Sequence, residues 1–406
     1  MHMAGVIAVG LLLCPMNPSF AQIAIMGSGP GGSVRLHNTD MAVLEAGDPR
    51  SDLPCVVSPT NKAFLGFDLR FHAGYDISVP LKELAGSENL LTILFRVFPK
   101  NRSEKQHYFI QRIRVPSIEE EAKGDAVIQG GFDIGEGEYK VDLLIRDRSE
   151  RVCSFYWDVE AELPNKDKDM ALAMTPGMIE PVQYEQFLEE PPVERASGEQ
   201  LNVKVMVNFA PQKANASTLR PVDTAALVSI LRTISREPKF GKFSVVAFNM
   251  HEQKVVYRQD SADKIDFPAI GGSLESISLG TVDLKRLSNK RGDTEFLSSL
   301  IANELGSSSK PDAVIFAGPK SFVEENVPRT ELEKLGEPDY PVFYMNYSLN
   351  PYATPWRDAI GHAVKFLKGT EYTISKPRDL WFAFTEMVSR IVKSRNGKQL
   401  ASVSSK

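Results

Sequence analysis

The run Ala313-Val314-Ile315-Phe316-Ala317-Gly318-Pro319 decides the reading of the C-terminal half. A strand covered on one face alternates apolar with polar residues, whereas a strand covered on both faces is apolar throughout. Asp312–Ala317 is of the second kind, as are Phe243–Asn249 and Pro341–Tyr347. Segments with helical spacing lie between and beyond these runs. Ala225, Leu227, Ile230, Leu231 and Ile234 follow Pro221, and Phe296, Leu297, Leu300, Ile301 and Leu305 follow Asp293, read as an N-cap. Thr354-Pro355 is a helix start ahead of Ile360, Ala363, Val364 and Leu367. A last helix follows Pro377, carries Leu380, Phe384, Val388 and Ile391, and is expected to end before Gly397. This alternation predicts a mainly parallel sheet with helices on both faces, a doubly wound α/β unit of Rossmann type over 201–395. Leu201–Phe209 begins it but carries Asn202, Lys204 and Asn208, polar where a central strand should be apolar.

Upstream the period changes. Tyr139, Val141, Leu143 and Ile145 alternate with Lys140, Asp142 and Arg146. After a turn at Asp147–Glu150, Cys153, Phe155, Trp157, Val159 and Ala161 share one face of a second run, which predicts a hairpin. Leu90–Phe98 and His107–Val115 read as further strands, each ended by a proline. Short strands at this spacing predict an all-β sandwich over 41–163. Gly135-Glu136-Gly137-Glu138-Tyr139, followed by Val141, resembles the tyrosine-corner approach to a late strand in immunoglobulin-like domains. Pro164–Gln200 holds no sustained period, is acidic and carries Glu189-Glu190-Pro191-Pro192; it reads as a linker over 164–200. A polar tail occupies 396–406. The fold class expected is a multidomain α+β protein, an immunoglobulin-like sandwich followed by the α/β unit.

A chain of 406 residues exceeds one ordinary core, and 42% apolar with 24% charged residues is the composition of a globular protein. A formal net charge of −5 argues against a nucleic-acid surface, and Lys285–Arg291 reads as a solvated basic face. Gly5–Cys14 is an apolar run followed by a segment ending in Ala21, which reads as a signal peptide over 1–21 cleaved before Gln22. It is too short to span a bilayer, so export to the periplasm or medium is expected. Gly27-Ser28-Gly29-Pro30-Gly31-Gly32 spells a dinucleotide fingerprint, but no strand and helix flank it, and it reads as part of a flexible leader over 22–40. Loss of Cys14 leaves Cys55 and Cys153, a pair that either forms a disulfide or stays as two buried thiols. Closing such a loop contributes on the order of 4 kcal/mol in the entropy model.

The C-terminal half resembles the von Willebrand factor A family. In that family the first strand runs into Asp-x-Ser-x-Ser; here the place reads Asn208-Phe209-Ala210-Pro211-Gln212. Thr294 stands where the family has its threonine, and Ala317 where the fourth strand has an Asp. The family site holds a hard divalent cation through carboxylate and hydroxyl oxygens and leaves one position for an acidic group of the partner. Of the positions Asn208, Ala210, Gln212, Thr294 and Ala317, only Thr294 keeps its type, so a metal-free site without cofactor is expected. Acidic residues near the sandwich turn, Asp133, Glu136 and Glu138, read as a solvated turn in preference to a calcium site. Arg291-Gly292-Asp293 spells the integrin tripeptide at a helix start and is read as coincidence.

No zinc-binding His pair, nucleophile elbow or phosphate loop occurs in the sequence. Pro351-Tyr352-Ala353-Thr354-Pro355-Trp356 follows the run Pro341–Leu349, and ligand crevices of open α/β sheets lie outside the carboxyl ends of the strands. Tyr352 and Trp356, with Pro211, are candidate partner contacts; the other reading of Trp356 is packing beneath its own helix. The arrangement looks like that of extracytoplasmic proteins of acidobacterial type, which implies protein–protein interaction. The expectation is a non-enzymatic binding or scaffold protein with a protein partner, no nucleic acid and no membrane span. The alternative is an exported hydrolase whose residues come from distant segments.

Overall fold

The structure is a computed structural model, and it describes residues 23–25, 36–102, 105–183, 185–212, 219–275, 291–306, 310–321, 323, 325–348, 352 and 355–404. The expected signal peptide, the run Gly27–Gly32, Thr354 and most of the basic stretch Lys285–Arg291 lie outside the described residues. The protein is mixed α and β, with three sheets in two compact units. One unit takes in the described residues up to Phe64, with His72–Glu162 and Thr175–Val182; the other takes in Leu65–Phe71, Leu163–Met174 and those from Gln183 onward. The expected division at 163 coincides with the break after Glu162, whereas described residues before 41 and before 201 already belong to the two units.

The first unit pairs two antiparallel sheets. One has the order β1 (Ile23–Ile25), β6 (His107–Val115), β5 (Asn89–Pro99), β8 (Gly137–Arg146) and β9 (Val152–Ala161). The other runs β10 (Ile179–Pro181), β7 (Asp125–Ile134), β4 (Phe71–Pro80) and β2 (Val56–Pro59), with β3 (Phe64–Leu65) added on β4. Alternation drives Ile93, Phe95 and Val97 of β5 inward, where Phe95 stacks on Phe109 at 4.8 Å and meets Tyr75 edge-on at 5.3 Å. Each such side chain contributes about 1.5–3 kcal/mol of burial. The expected hairpin is β8–β9, with Ile145 opposite Cys153.

Three expectations for this half are corrected. The stretch 22–40 is not a free leader throughout, because β1 pairs its backbone with β6 and α1 (Asn38–Ala46) begins before residue 41. Neither is the sandwich all-β. Leu44 of α1 packs on Leu94, Leu144 and Val152 across the outer face of the first sheet, and the helix stops at Gly47, whose φ of 72° suits a left-handed cap. Finally, 164–200 is not an unstructured linker, since β10 pairs with β7 and Arg195 donates to the Ser235 and Glu237 carbonyls.

A disulfide joins Cys55 to Cys153 across a sequence separation of 98, with Cα atoms 6.4 Å apart. That spacing needs no backbone movement. The bridge ties the segment entering β2 to β9, hence one sheet to the other. Of the two readings of the cysteine pair, the structure shows the bridge.

The second unit is a six-stranded sheet in the order β13 (Lys254–Ala262), β12 (Phe240–Asn249), β11 (Leu201–Asn208), β14 (Ala313–Pro319), β15 (Val342–Tyr347) and β16 (Thr370–Ile374). All pairings are parallel except that of β12 with the edge strand β13. Val203, Val205 and Val207 face one core, with α2 (Pro221–Ser235), α3 (Phe267–Glu275) and α7 (Pro377–Ser404). Met206 faces the other, with α4 (Gly292–Leu305), α5 (Arg329–Glu333) and α6 (Ala359–Phe366). Lys204, the residue that seemed foreign to a central strand, is 8% exposed, and its Nζ lies 3.1 Å from Glu304 Oε2 in the last turn of α4. Arg258 of β13 reaches the other oxygen of Glu304 at 2.5 Å. The last helix continues past Gly397, where an end was expected, to Ser404.

Candidate functional site

The sheet order reverses between β11 and β14, the kind of switch point at which open α/β sheets bind ligands beyond the carboxyl ends of their strands. Asn208 sits there at the end of β11, fully buried. Its Oδ1 accepts from the Ala210 and Met250 backbone N–H groups at 3.0 and 3.3 Å, and its Nδ2 donates to Ser321 Oγ at 2.8 Å. One neutral amide thus fastens the exits of β11, β12 and β14. Gly318 permits the closeness. Its φ is +150°, and a Cβ there would stand 2.7 Å from the Asn208 carbonyl oxygen.

The network extends through Ser321. Its N–H donates to Asp358 Oδ2 at 3.2 Å, which also accepts from Tyr344 Oη at 2.9 Å. Asp358 Oδ1 accepts from Gly361 N at 2.9 Å and so caps α6. Burial pushes the Asp358 carboxyl up to about 6, against the Gly361, Tyr344 and Ser321 hydrogen bonds that favour its charged form. Tyr344, wholly buried beside that carboxylate, is held well above its ordinary value. The cap is Asp358; the helix begins after the Thr354-Pro355 start that the sequence suggested.

Of the expected site residues, the structure brings together Asn208 and Ala210. Ala317 is buried in the apolar core with Val205 and Val207, paired in register with Val207, and takes no part in the polar network. Thr294 is 5% exposed and its Oγ1 donates to the Glu325 carbonyl at 2.8 Å. Gln212 Nε2 is buried without a hydrogen-bond partner among the described residues. Pro211 is buried, and its carbonyl lies 3.0 Å from His251 Nε2; the other ring nitrogen is 3.4 Å from Asp293 Oδ2. Asp293 lies inside the first turn of α4, where Gln253 Nε2 donates to its Oδ1 at 3.0 Å, so it is not the N-cap. Arg291 pairs with Glu325 at 3.2 Å, and Gly292 is buried, so the integrin-like tripeptide is not displayed as an extended loop. In the other unit, Asp133 is buried with its Oδ1 2.7 Å from His72 Nδ1 and so is not part of a solvated turn, whereas Glu138 is exposed and pairs with Lys100 at 3.0 Å.

Tyr352 is 93% exposed, while Trp356 is half-buried. Trp356 and Pro355 line a cavity of about 760 Å³ with Lys320, Arg357, Lys365 and Arg390, beside the edge strand β16. Sequence reasoning named the tryptophan and missed the cations, which come from separate segments. Ser321 was also missed, although it directly follows the apolar run that ends at Pro319. His362 is exposed on α6.

Neither a protein-family model nor a curated protein matches the chain. Among solved structures it is similar to the PilB minor pilin from Streptococcus sanguinis, with 10% identity and a TM-score of 0.26, over 82% of this chain and 92% of that one. It is also similar to superoxide reductase (neelaredoxin) from Ignicoccus hospitalis, with 8% identity and a TM-score of 0.18, over 29% of this chain and 86% of that one. Likenesses this weak have no bearing on the site.

Proposed function

We propose that the chain is an exported, non-enzymatic binding or scaffold protein whose α/β unit is a von Willebrand A-like domain that works without a divalent cation. The observation that carries this reading is the state of Asn208. Its acceptor oxygen is taken by two backbone N–H groups, and its amide hydrogens face Ser321 Oγ. A hard divalent ion needs several oxygen ligands with compensating negative charge. At Asn208 an ion meets a neutral amide whose oxygen is already engaged, and at Thr294 a hydroxyl already given to the Glu325 carbonyl. Partner contact then falls to the loops at the carboxyl end of the sheet, where Tyr352 is exposed and Trp356 half-buried.

The other parts of the reading have their own support. The bond from Tyr139 Oη to the Gly135 carbonyl, 2.8 Å, is the contact a tyrosine corner makes and favours an immunoglobulin-like sandwich. The Cys55–Cys153 bridge favours an oxidising compartment, periplasmic or secreted. Among the described residues no helix is long and apolar enough to cross a membrane. A ligand specific for the folded state raises its melting temperature. Melting the full chain with magnesium, manganese or calcium should match melting in chelator. A rise that Thr294→Ala removes would contradict the proposal.

A further inference from the structure

We infer that the outer edge of β16, with the basic cavity beside it, is a docking site for an acidic peptide segment that binds in extended form as an added strand. The inference rests on the binding-protein reading above and names its surface and partner chemistry. Among the described strands, β16 pairs with β15 alone and closes its side of the sheet. Ser348 N donates to the Ile374 carbonyl at 2.9 Å, so Ile374 turns its peptide group toward β15. Alternation then turns the peptide N–H and C=O groups of Glu371 and Thr373 outward. Both residues line the cavity, whereas Tyr372 between them does not. An open edge of this kind is a template for another strand, with main-chain bonds supplying affinity and flanking side chains supplying selectivity.

The flanking charge selects the partner. Lys320, Arg357, Lys365 and Arg390 converge on the cavity, and Glu371 is the one acidic residue in its lining. That carboxylate is already engaged, by Arg357 Nε at 2.7 Å and Asn346 Nδ2 at 2.9 Å. Arg390 holds Thr370 Oγ1 at 3.0 Å and Glu386 at 2.9 Å, while Lys365 makes no ion pair among the described residues. The surplus is positive, in a chain whose formal net charge is −5. Acidic side chains on a docked strand meet this surplus, and the half-buried Trp356 offers an apolar wall to the residues between them.

The test uses the full chain and a fluorescent peptide of alternating glutamate and valine, with anisotropy as the readout. Binding should weaken with added salt and fall at least about tenfold for Lys365→Glu/Arg390→Glu, a pair on the exposed surface. A copy of the peptide N-methylated along one edge should lose binding to the unaltered protein, which needs no variant to fold. No binding of the parent peptide, or equal binding of the N-methylated copy, would overturn the inference. Cation titration separates the two claims. Peptide failure without a cation effect removes this surface alone, whereas a cation effect removes the metal-independent reading whatever the peptide does.

Discussion

Asn208 Nδ2 donates to Ser321 Oγ over 2.8 Å, and neither residue has measurable exposure to solvent. A buried amide with its donor and acceptor both used holds the ends of neighbouring strands in one arrangement. Asn208→Leu keeps the volume but strands the Ala210 and Met250 N–H groups. It should lower the unfolding free energy by about 3 kcal/mol, read from urea denaturation. A loss below about 0.5 kcal/mol would show that water satisfies those groups.

The Lys204–Glu304 pair gives a prediction with an internal control. Lys204→Ala leaves Glu304 buried without its lysine, though still paired with Arg258, and should cost about 2–4 kcal/mol. Replacing both by apolar residues, Lys204→Met/Glu304→Leu, should return stability to within about 1 kcal/mol of the original. If the double replacement is as damaging as the single one, the pair does more than compensate its own burial.

Much of this fold could be read from the chain. The apolar runs at Ala313–Pro319 and Val342–Tyr347 are strands, and the alternation from Tyr139 to Ala161 is a hairpin. In the α/β unit, the strands that escaped were polar for a reason. β13 and β16 are edge strands, with side chains such as Arg258, Glu371 and Thr373 that carry no buried-strand signature. Lys204 looked wrong for a central strand because its partner Glu304 is a hundred residues away. The candidate site was half legible. Asn208 and Ala210 are together, but Ala317 turned into the core because strand parity, which a positional match does not test, placed it there.

Asp358 should leave a signature in the pH dependence of stability. Its folded-state carboxyl titrates at about 6, raised by burial from 3.8. A raised acid makes the folded state bind more protons than the unfolded one between those values, so its contribution to stability grows as pH falls from about 6 to about 4. The total change is at most about 3 kcal/mol. Asp358→Asn should flatten that slope in urea midpoints measured across the window; an identical slope in both proteins would place the titration elsewhere.

The disulfide should be intact in exported protein. Alkylation of the denatured, unreduced chain should label neither Cys55 nor Cys153, and Cys55→Ser/Cys153→Ser should lose about 2–5 kcal/mol of stability. Two labelled thiols would remove the main support for an oxidising compartment.

The central claim is that this α/β unit engages its partner without a metal ion, and calorimetric titration of the full chain tests it most directly. Magnesium, manganese and calcium should each give no saturable heat at millimolar concentration, because Asn208 Oδ1 and Thr294 Oγ1 are committed to backbone partners. Stoichiometric heat that Thr294→Ala abolishes would contradict the account and restore a cation-dependent adhesion mechanism.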